Sequence, residues 1–401
     1  MEMKVRTMSR SQQSIRGIVL SASALFVAAP LFSACNPPMP PDVLAAKAES
    51  QITCASGETS AAVPEAFAGS ISAVGSALNS VCTAQLVSEV AADEPAPVVL
   101  LDRTPSPDDI AAFAATCPAG STITVPAFSY PVTLAYNVPG LEGVVLTPQA
   151  VAGILNGTVT TWEDPLITEA NPDFDFTGLA PFTLMSVESP QGSVAAMTAW
   201  LTKAAPQAWT KGEVTTLDGT QAFPTTVDLI GEMMAVESAI AVLPVAQAQL
   251  NALAMANLPV TLEDGTEVVI TTDDVQAAKI GSGATQLTTD EAGNVTASAA
   301  VGGIPIPENF DLASSKIVLA EGAPVVGWPA LGYAHLLVCD DPADPLPLAF
   351  AQYVARLAGQ GSLETAGYVP LPEPIRIRLF TPLKVVVADD GAVPSPSASG
   401  A

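Results

Sequence analysis

The chain has 401 residues, with 14 Lys and Arg against 40 Asp and Glu and a formal net charge of −26. Such an acidic balance excludes a nucleic-acid platform and gives no long-range pull on an anionic ligand. Hydrophobic residues make up 49% and charged residues only 13%, enough apolar side chain for two lobes with proper cores.

At the N-terminus, Lys4, Arg6, Arg10 and Arg16 form a basic start, and Ile18–Phe32 is an apolar run broken by Pro30. The run is too short and too interrupted to cross a membrane, so residues 1–34 are expected to be a cleaved secretory signal. Phe32-Ser33-Ala34-Cys35 reads as a lipobox, which makes Cys35 the expected lipidation site and membrane anchor. Ordinary signal cleavage, with Cys35 a free thiol, is the alternative. Asn36 to Pro41 is proline-rich and stiff, so residues 35–50 read as a lipid-anchored linker. Residues 1–34 hold four basic residues and one acidic one. Without them 10 Lys and Arg face 39 Asp and Glu, a net charge of −29.

Further along, Gln51–Cys54 is strand-like, Ala61–Leu78 helical and Val81–Val87 strand-like. Val98–Leu101 reads as a buried strand ended by Asp102. Ser106-Pro107-Asp108-Asp109 has a cap, a first-position proline and first-turn acids, and starts a helix to Ala115. Thr122–Tyr136 is extended. Thr147 and Pro148 open a short helix, Gln149–Leu155, which Asn156-Gly157 stops. Thr161–Pro165 turns into a second short helix that ends at Asn171-Pro172. Phe182–Ser186 is a strand, Val187–Ser193 a loop with Ser193 as a helix cap, and Val194–Lys203 a helix. Ala239–Leu243 and Leu336–Cys339 are strands, Pro347–Gly359 is a helix, and the tail 385–401 reads as disordered. This alternation implies an α/β fold with a mostly parallel sheet, whose ligands sit at the carboxyl ends of strands. Asp102 lies at such an end; a surface Asp preceding a helix fits the same pattern.

Four cysteines remain besides Cys35, namely Cys54, Cys82, Cys117 and Cys339, and an exported compartment favours disulfides among them. Four cysteines allow three pairings; three of them fall in the N-terminal part, so a bridge among those three is expected, with Cys82–Cys117 one candidate. No CxxC or His cluster suggests a metal site, and no cofactor is implied. His335, the only histidine, sits in an apolar run and reads as a packed core or hinge residue. Neither a Ser-His-Asp triad nor another nucleophile–base pair is apparent, so no enzyme is expected.

The order L-T-P-x-x-x-A-x-I-x-x-G-x-x-x-x-W-x-D-P-x-I-x-x-x-N-P over residues 146–172 resembles the periplasmic phosphate-binding proteins that serve ABC transporters. Asn137-Val138-Pro139-Gly140, Pro324–Trp328 and Gly367–Pro372 are similar to further segments of that family. The resemblance implies a two-lobed type II periplasmic-binding-protein clamshell with two hinge crossings. Residues 51–137 and 323–384 would form lobe 1, and 138–322 lobe 2. It also implies capture of phosphate or a related small anion, an ABC permease as partner, a lipid-anchored extracytoplasmic location and a monomer without nucleic acid. Asp102 matches the family's Asp that accepts a hydrogen bond from a protonated phosphate oxygen. Gly192 and Ser193 match the end of the second-lobe anion loop, Gln191 stands where the family has Ser as a candidate donor, and Thr59 and Ser60 fall where the first anion loop is expected. Val187, however, stands in place of the family's phosphate-binding Arg, with Glu188 beside it. Arg103 is a candidate to supply the missing charge, or else faces solvent; Thr59 and Ser60 either donate to ligand or only cap a helix. The family's middle loop is missing, with Ser88 the nearest hydroxyl. Three functions therefore stand open: phosphate capture, the same fold with an altered ligand, and a non-transport surface protein that has lost anion binding.

Overall fold

The computed structural model describes residues 57–64, 67–82, 84–87, 95–118, 120–261, 267–270, 285–299, 309–311, 316–318, 328–365 and 368–385. The signal, Cys35, the linker, Gln51–Cys54, Ser88, Pro324–Gly327 and residues 386–401 lie outside the described residues.

The chain begins with β1 (Gly57–Ala62), α1 (Ala68–Val81), β2 (Ala84–Val87), β3 (Val98–Leu101), α2 (Pro107–Ala114) and β4 (Thr122–Tyr136). It continues through α3 (Pro148–Asn156), α4 (Pro165–Thr168), β5 (Thr183–Val187), α5 (Gly192–Ala204), β6 (Gln221–Phe223), α6 (Thr226–Ala235), β7 (Ala239–Pro244) and α7 (Val245–Leu250). Then come β8 (Ala254–Met255), the paired β9 (Leu258–Thr261) and β10 (Glu267–Ile270), β11 (Thr285–Thr289) and β12 (Val295–Ala299), and β13 (Asn309–Asp311) and β14 (Lys316–Val318). The chain closes with β15 (Leu331–Cys339), α8 (Leu346–Ala355), α9 (Leu357–Thr365) and α10 (Glu373–Arg376).

The main sheet runs β2-β1-β3-β15-β4-β7-β5-β6, with β8 also on β4. It is mixed rather than mostly parallel. Each flank is parallel, but β15 is antiparallel to β3 and β4, and β4 is antiparallel to β7. The 15-residue β4 joins the flanks: Thr122–Pro131 pairs with β15 and Val132–Tyr136 with β7. Every residue from Ile123 to Tyr136 is buried, the polar Thr124, Ser129 and Thr133 included. At ~3.3 Å per residue the strand is roughly 50 Å long, enough to serve both flanks. Pro126 lacks a ladder donor, and the register shifts there, where His335 pairs with Pro126 and Ala334 with Phe128. The carbonyl of Ala127, left out of the pairing, accepts from Gln360 Nε2 at 2.8 Å.

The motif around residue 146 builds core. Thr147 caps α3 by accepting from the Ala150 amide, and Gly157 ends it in the left-handed region at φ 73°. Trp162 is buried among Tyr136, Phe176 and Phe182, and its Nε1 donates to Ser238 Oγ at 3.0 Å. Asn171 clamps Val145 through both backbone groups, at 2.8 Å each.

Two expectations are corrected. Cys117 is joined to Cys339, not Cys82, with Cα atoms 5.3 Å apart across 222 residues of sequence. The end of α2 packs on the end of β15, so the partner comes from a distant segment that N-terminal clustering cannot reveal. Cys82 is disulfide-bonded as well. The other correction is the first helix, expected from Ala61: residues Gly57–Ala62 form a strand, and the helix starts at Ala68.

Candidate functional site

Asp102 is the first residue beyond β3, a strand held between β1 and β15. Its carboxylate Oδ2 accepts from the amide of Gly192, the first residue of α5, at 2.6 Å. Its backbone carbonyl accepts from the buried Tyr130 hydroxyl. Burial pushes the Asp102 carboxyl above its ordinary range, against the pull of the Gly192 amide and the Arg103 charge. Burial likewise drives the Tyr130 phenol well above its usual value, and the Asp102 charge adds to this. Tyr130 therefore stays a neutral donor.

Two glycines make this approach possible. A Cβ on Gly192 would fall on the Asp102 carbonyl and the Tyr130 hydroxyl. A Cβ on Gly332 would fall on the Tyr130 ring, because Gly332 is the ladder partner of Tyr130 on β15. Bare backbone at both positions lets strand end, ring and helix start meet. Tyr130 and Gly332 were missed in the sequence. They belong together only through a register formed over some 200 residues, and no local motif marks them.

The loop after β5 departs from the expected roles. Gln191, not Ser193, is the residue preceding α5. Gln191 does not cap with its side chain; its Oε1 accepts from the Val187 amide at 3.3 Å. Ser193 lies inside the first turn, 4% exposed, and donates to the Val242 carbonyl at 3.3 Å. Val187 is 7% exposed within an apolar cluster that includes Met185, Leu229, Met233 and Leu243. A guanidinium at that position would enter hydrocarbon. The missing Arg is thus a change of packing as well as of charge.

Arg103 does not fill the gap. Both of its terminal nitrogens engage Asp109 of α2, at 3.0 and 3.2 Å. Asp109 also closes a capping box with Ser106. Thr59 and Ser60 lie inside β1, opposite Leu86 and Val87 of β2, not at a helix start. Thr59 Oγ1 is buried without a hydrogen-bond partner. The chain from the end of β1 to the start of α1 runs Val63-Pro64-Glu65-Ala66-Phe67 and offers no hydroxyl, and no side chain caps α1. The strand extends past Ser60 because Ala61 and Ala62 pair with Val98 and Val99 of β3.

Two cavities meet at Asp102, Arg103 and Tyr130, which line both. The smaller, about 360 Å³, is flanked by Phe67, Gln191, Ser193 and Thr225. The larger, about 730 Å³, has α5 along one side and Gln286 and Ala297 of the β11–β12 hairpin on another. Asp102 and Ser193 thus border one cleft. Among the described residues no group of three or more His, Cys, Asp or Glu could hold a metal ion.

Residues 27–356 match the pattern described as a PBP superfamily domain. A high affinity periplasmic phosphate-binding protein, solved with phosphate bound, is 15% identical with a TM-score of 0.54; the match covers 81% of this chain and 93% of that one. The ancestral soluble variant of the human phosphate binding protein gives 15% and 0.55 over the same shares. A human phosphate binding apolipoprotein gives 14% and 0.52, over 81% and 94%. These similarities establish the α/β, two-lobed architecture.

Proposed function

The chain belongs to the PBP superfamily, and we propose that it is an extracytoplasmic solute-binding protein that captures protonated phosphate, or a closely related small oxyanion, for an ABC importer. The observation that carries this reading is the 2.6 Å contact between the Asp102 carboxylate and the Gly192 amide. A carboxylate oxygen already sits on the start of α5, which supports a reading of that amide as a donor to an oxyanion. A ligand entering between them would accept from the helix start and, where it carries a proton, donate to Asp102. Fully ionised sulfate has no such proton, so Asp102 selects against it. The structures of similar fold are named for phosphate binding, one with phosphate bound, which supports the same ligand class here.

With Val187 in apolar packing and Arg103 committed to Asp109, the ligand's charge is met by amides, hydroxyls and the helix dipole. Such a site binds less tightly than one with a free guanidinium. The reading includes a lobe of residues 51–137 with 323–384, a second lobe of 138–322, export as a monomer and anchoring through Cys35. It is a binding protein, not an enzyme. Equilibrium dialysis of the purified protein against phosphate and sulfate at pH 6–7 tests it. Saturable phosphate binding with at least tenfold weaker sulfate is expected. No phosphate binding at millimolar ligand would sink the reading and leave a PBP fold that has lost anion capture, which the burial of Val187 favours.

A further inference from the structure

The cavity of about 730 Å³ beside Asp102 is far larger than a five-heavy-atom oxyanion requires. Pockets of ~300–1,000 Å³ hold organic ligands. Its size has a cause in the sequence. Ala195, Ala196 and Ala199 recur at helical spacing along α5 and line it with short side chains, beside the longer Trp200 and Lys203 of the same helix. Trp200 and Tyr333 supply aromatic walls, while Gln149 and Gln286 supply polar ones. Among the described residues its charges are Asp102, Glu213 and Glu267 against Arg103 and Lys203. Acids outnumber bases, so this space does not attract a second anionic group. It does suit an uncharged, hydroxyl-bearing body, with ring faces for its C–H surface and amides for its hydroxyls.

We infer that the ligand is a phosphate monoester of a small polyol or sugar: its phosphoryl group occupies the Asp102–Gly192 contact, and its neutral body extends into the larger cavity. This rests on the phosphate reading above and specifies its ligand. The geometry that favours it is continuity. Asp102, Arg103 and Tyr130 border both cavities, so a group inserted at Asp102 has the larger cavity directly beside it.

The test is calorimetry of the full exported chain at pH 6, where a monoester with a second pKa of about 6 still carries a proton on part of its population. The probes are inorganic phosphate, glycerol 3-phosphate, glucose 6-phosphate and free glucose. The monoesters are expected to bind at least tenfold more tightly than inorganic phosphate, and free glucose weakly or not at all. Ala199→Phe fills the cavity from its α5 side. It should abolish the monoester advantage and leave inorganic phosphate binding within about twofold. If that variant does not fold, as judged by its melting curve, Trp200→Ala is the second variant, and it should cut monoester affinity selectively. Inorganic phosphate binding as well as or better than both monoesters overturns this inference while the phosphate reading survives. Binding of none of the three phosphates overturns both.

Discussion

Asp102 serves two interactions with one residue: its carbonyl anchors Tyr130 and its carboxylate meets the first amide of α5. Asp102→Asn keeps the size and an acceptor for the Gly192 amide, but exchanges one acceptor for an NH₂ donor. A protonated phosphate oxygen then faces a donor, and affinity should fall by about 1–3 kcal/mol. Sulfate should gain relative to phosphate, which competitive dialysis will show; an unchanged ratio would remove Asp102 from the site. His335 is a second residue whose protonation state is fixed by its neighbours. The Ala297 amide donates to Nε2 at 2.9 Å, so Nδ1 must carry the hydrogen, shared by the carbonyls of Arg103 and Tyr333 at 3.1 Å each. Burial pushes its pKa down from 6.5 to about 4. Between those values the unfolded chain binds the extra proton and the native chain does not. Stability contributed by His335 is therefore full above pH 6.5 and is lost as pH falls toward 4, by about 3 kcal/mol in all. Urea unfolding at pH 7 and pH 4.5 should show a steeper loss for the wild type than for His335→Gln, which lacks this titration. The burial-raised Asp102 carboxyl acts in the opposite direction and is common to both chains.

Single elements show why some of the structure could be read and some could not. Strands β3 and β4 match the sequence expectation residue for residue, and α2 and α3 to within two. Each of these has its signal inside itself: an apolar run, a Ser or Thr cap, or a stopping Gly. The 146–172 motif is legible for the same reason, and the structure explains what it encodes. Trp162 and Asn171 pack and clamp the core, so these two motif residues report the fold. The first anion loop was misplaced because β1 takes its limits from two neighbours, β2 for residues 57–60 and β3 for 61–62. Thr59 and Ser60 look like helix-start donors until those pairings are known. The cysteine pairing fails in the same way, since Cys339 reaches Cys117 only when β15 lies beside β3. That bridge closes a long loop and should contribute about 2–5 kcal/mol. The double variant Cys117→Ser, Cys339→Ser should lower the denaturation midpoint accordingly. A midpoint unchanged from the wild type would show that the bridge is absent from the secreted protein.

At the scale of the whole molecule, charge opposes the function proposed for the site. The chain carries a net charge of −26, and the described cleft offers Arg103 already paired with Asp109. An approaching oxyanion thus climbs a repulsive field, to be held only at short range by amides and hydroxyls. Composition made this field legible from the outset; which short-range donors face the cleft was not, because Gln191 and Ser193 turn their side chains back onto backbone. The two ranges respond differently to salt. The Debye length falls from about 30 Å at 0.01 M to about 8 Å at 0.15 M, which screens distant carboxylates but not contacts inside the cleft. Phosphate affinity should therefore rise with ionic strength, by roughly two- to fivefold between 10 and 150 mM sodium chloride, given surface potentials of a few kT. The control is potassium acetate at the same ionic strength, which separates screening from chloride competition at α5. Affinity that falls in both salts would mean that a local cationic group, not the molecular field, governs the ligand, and would return Arg103 or Lys203 to the centre of the site.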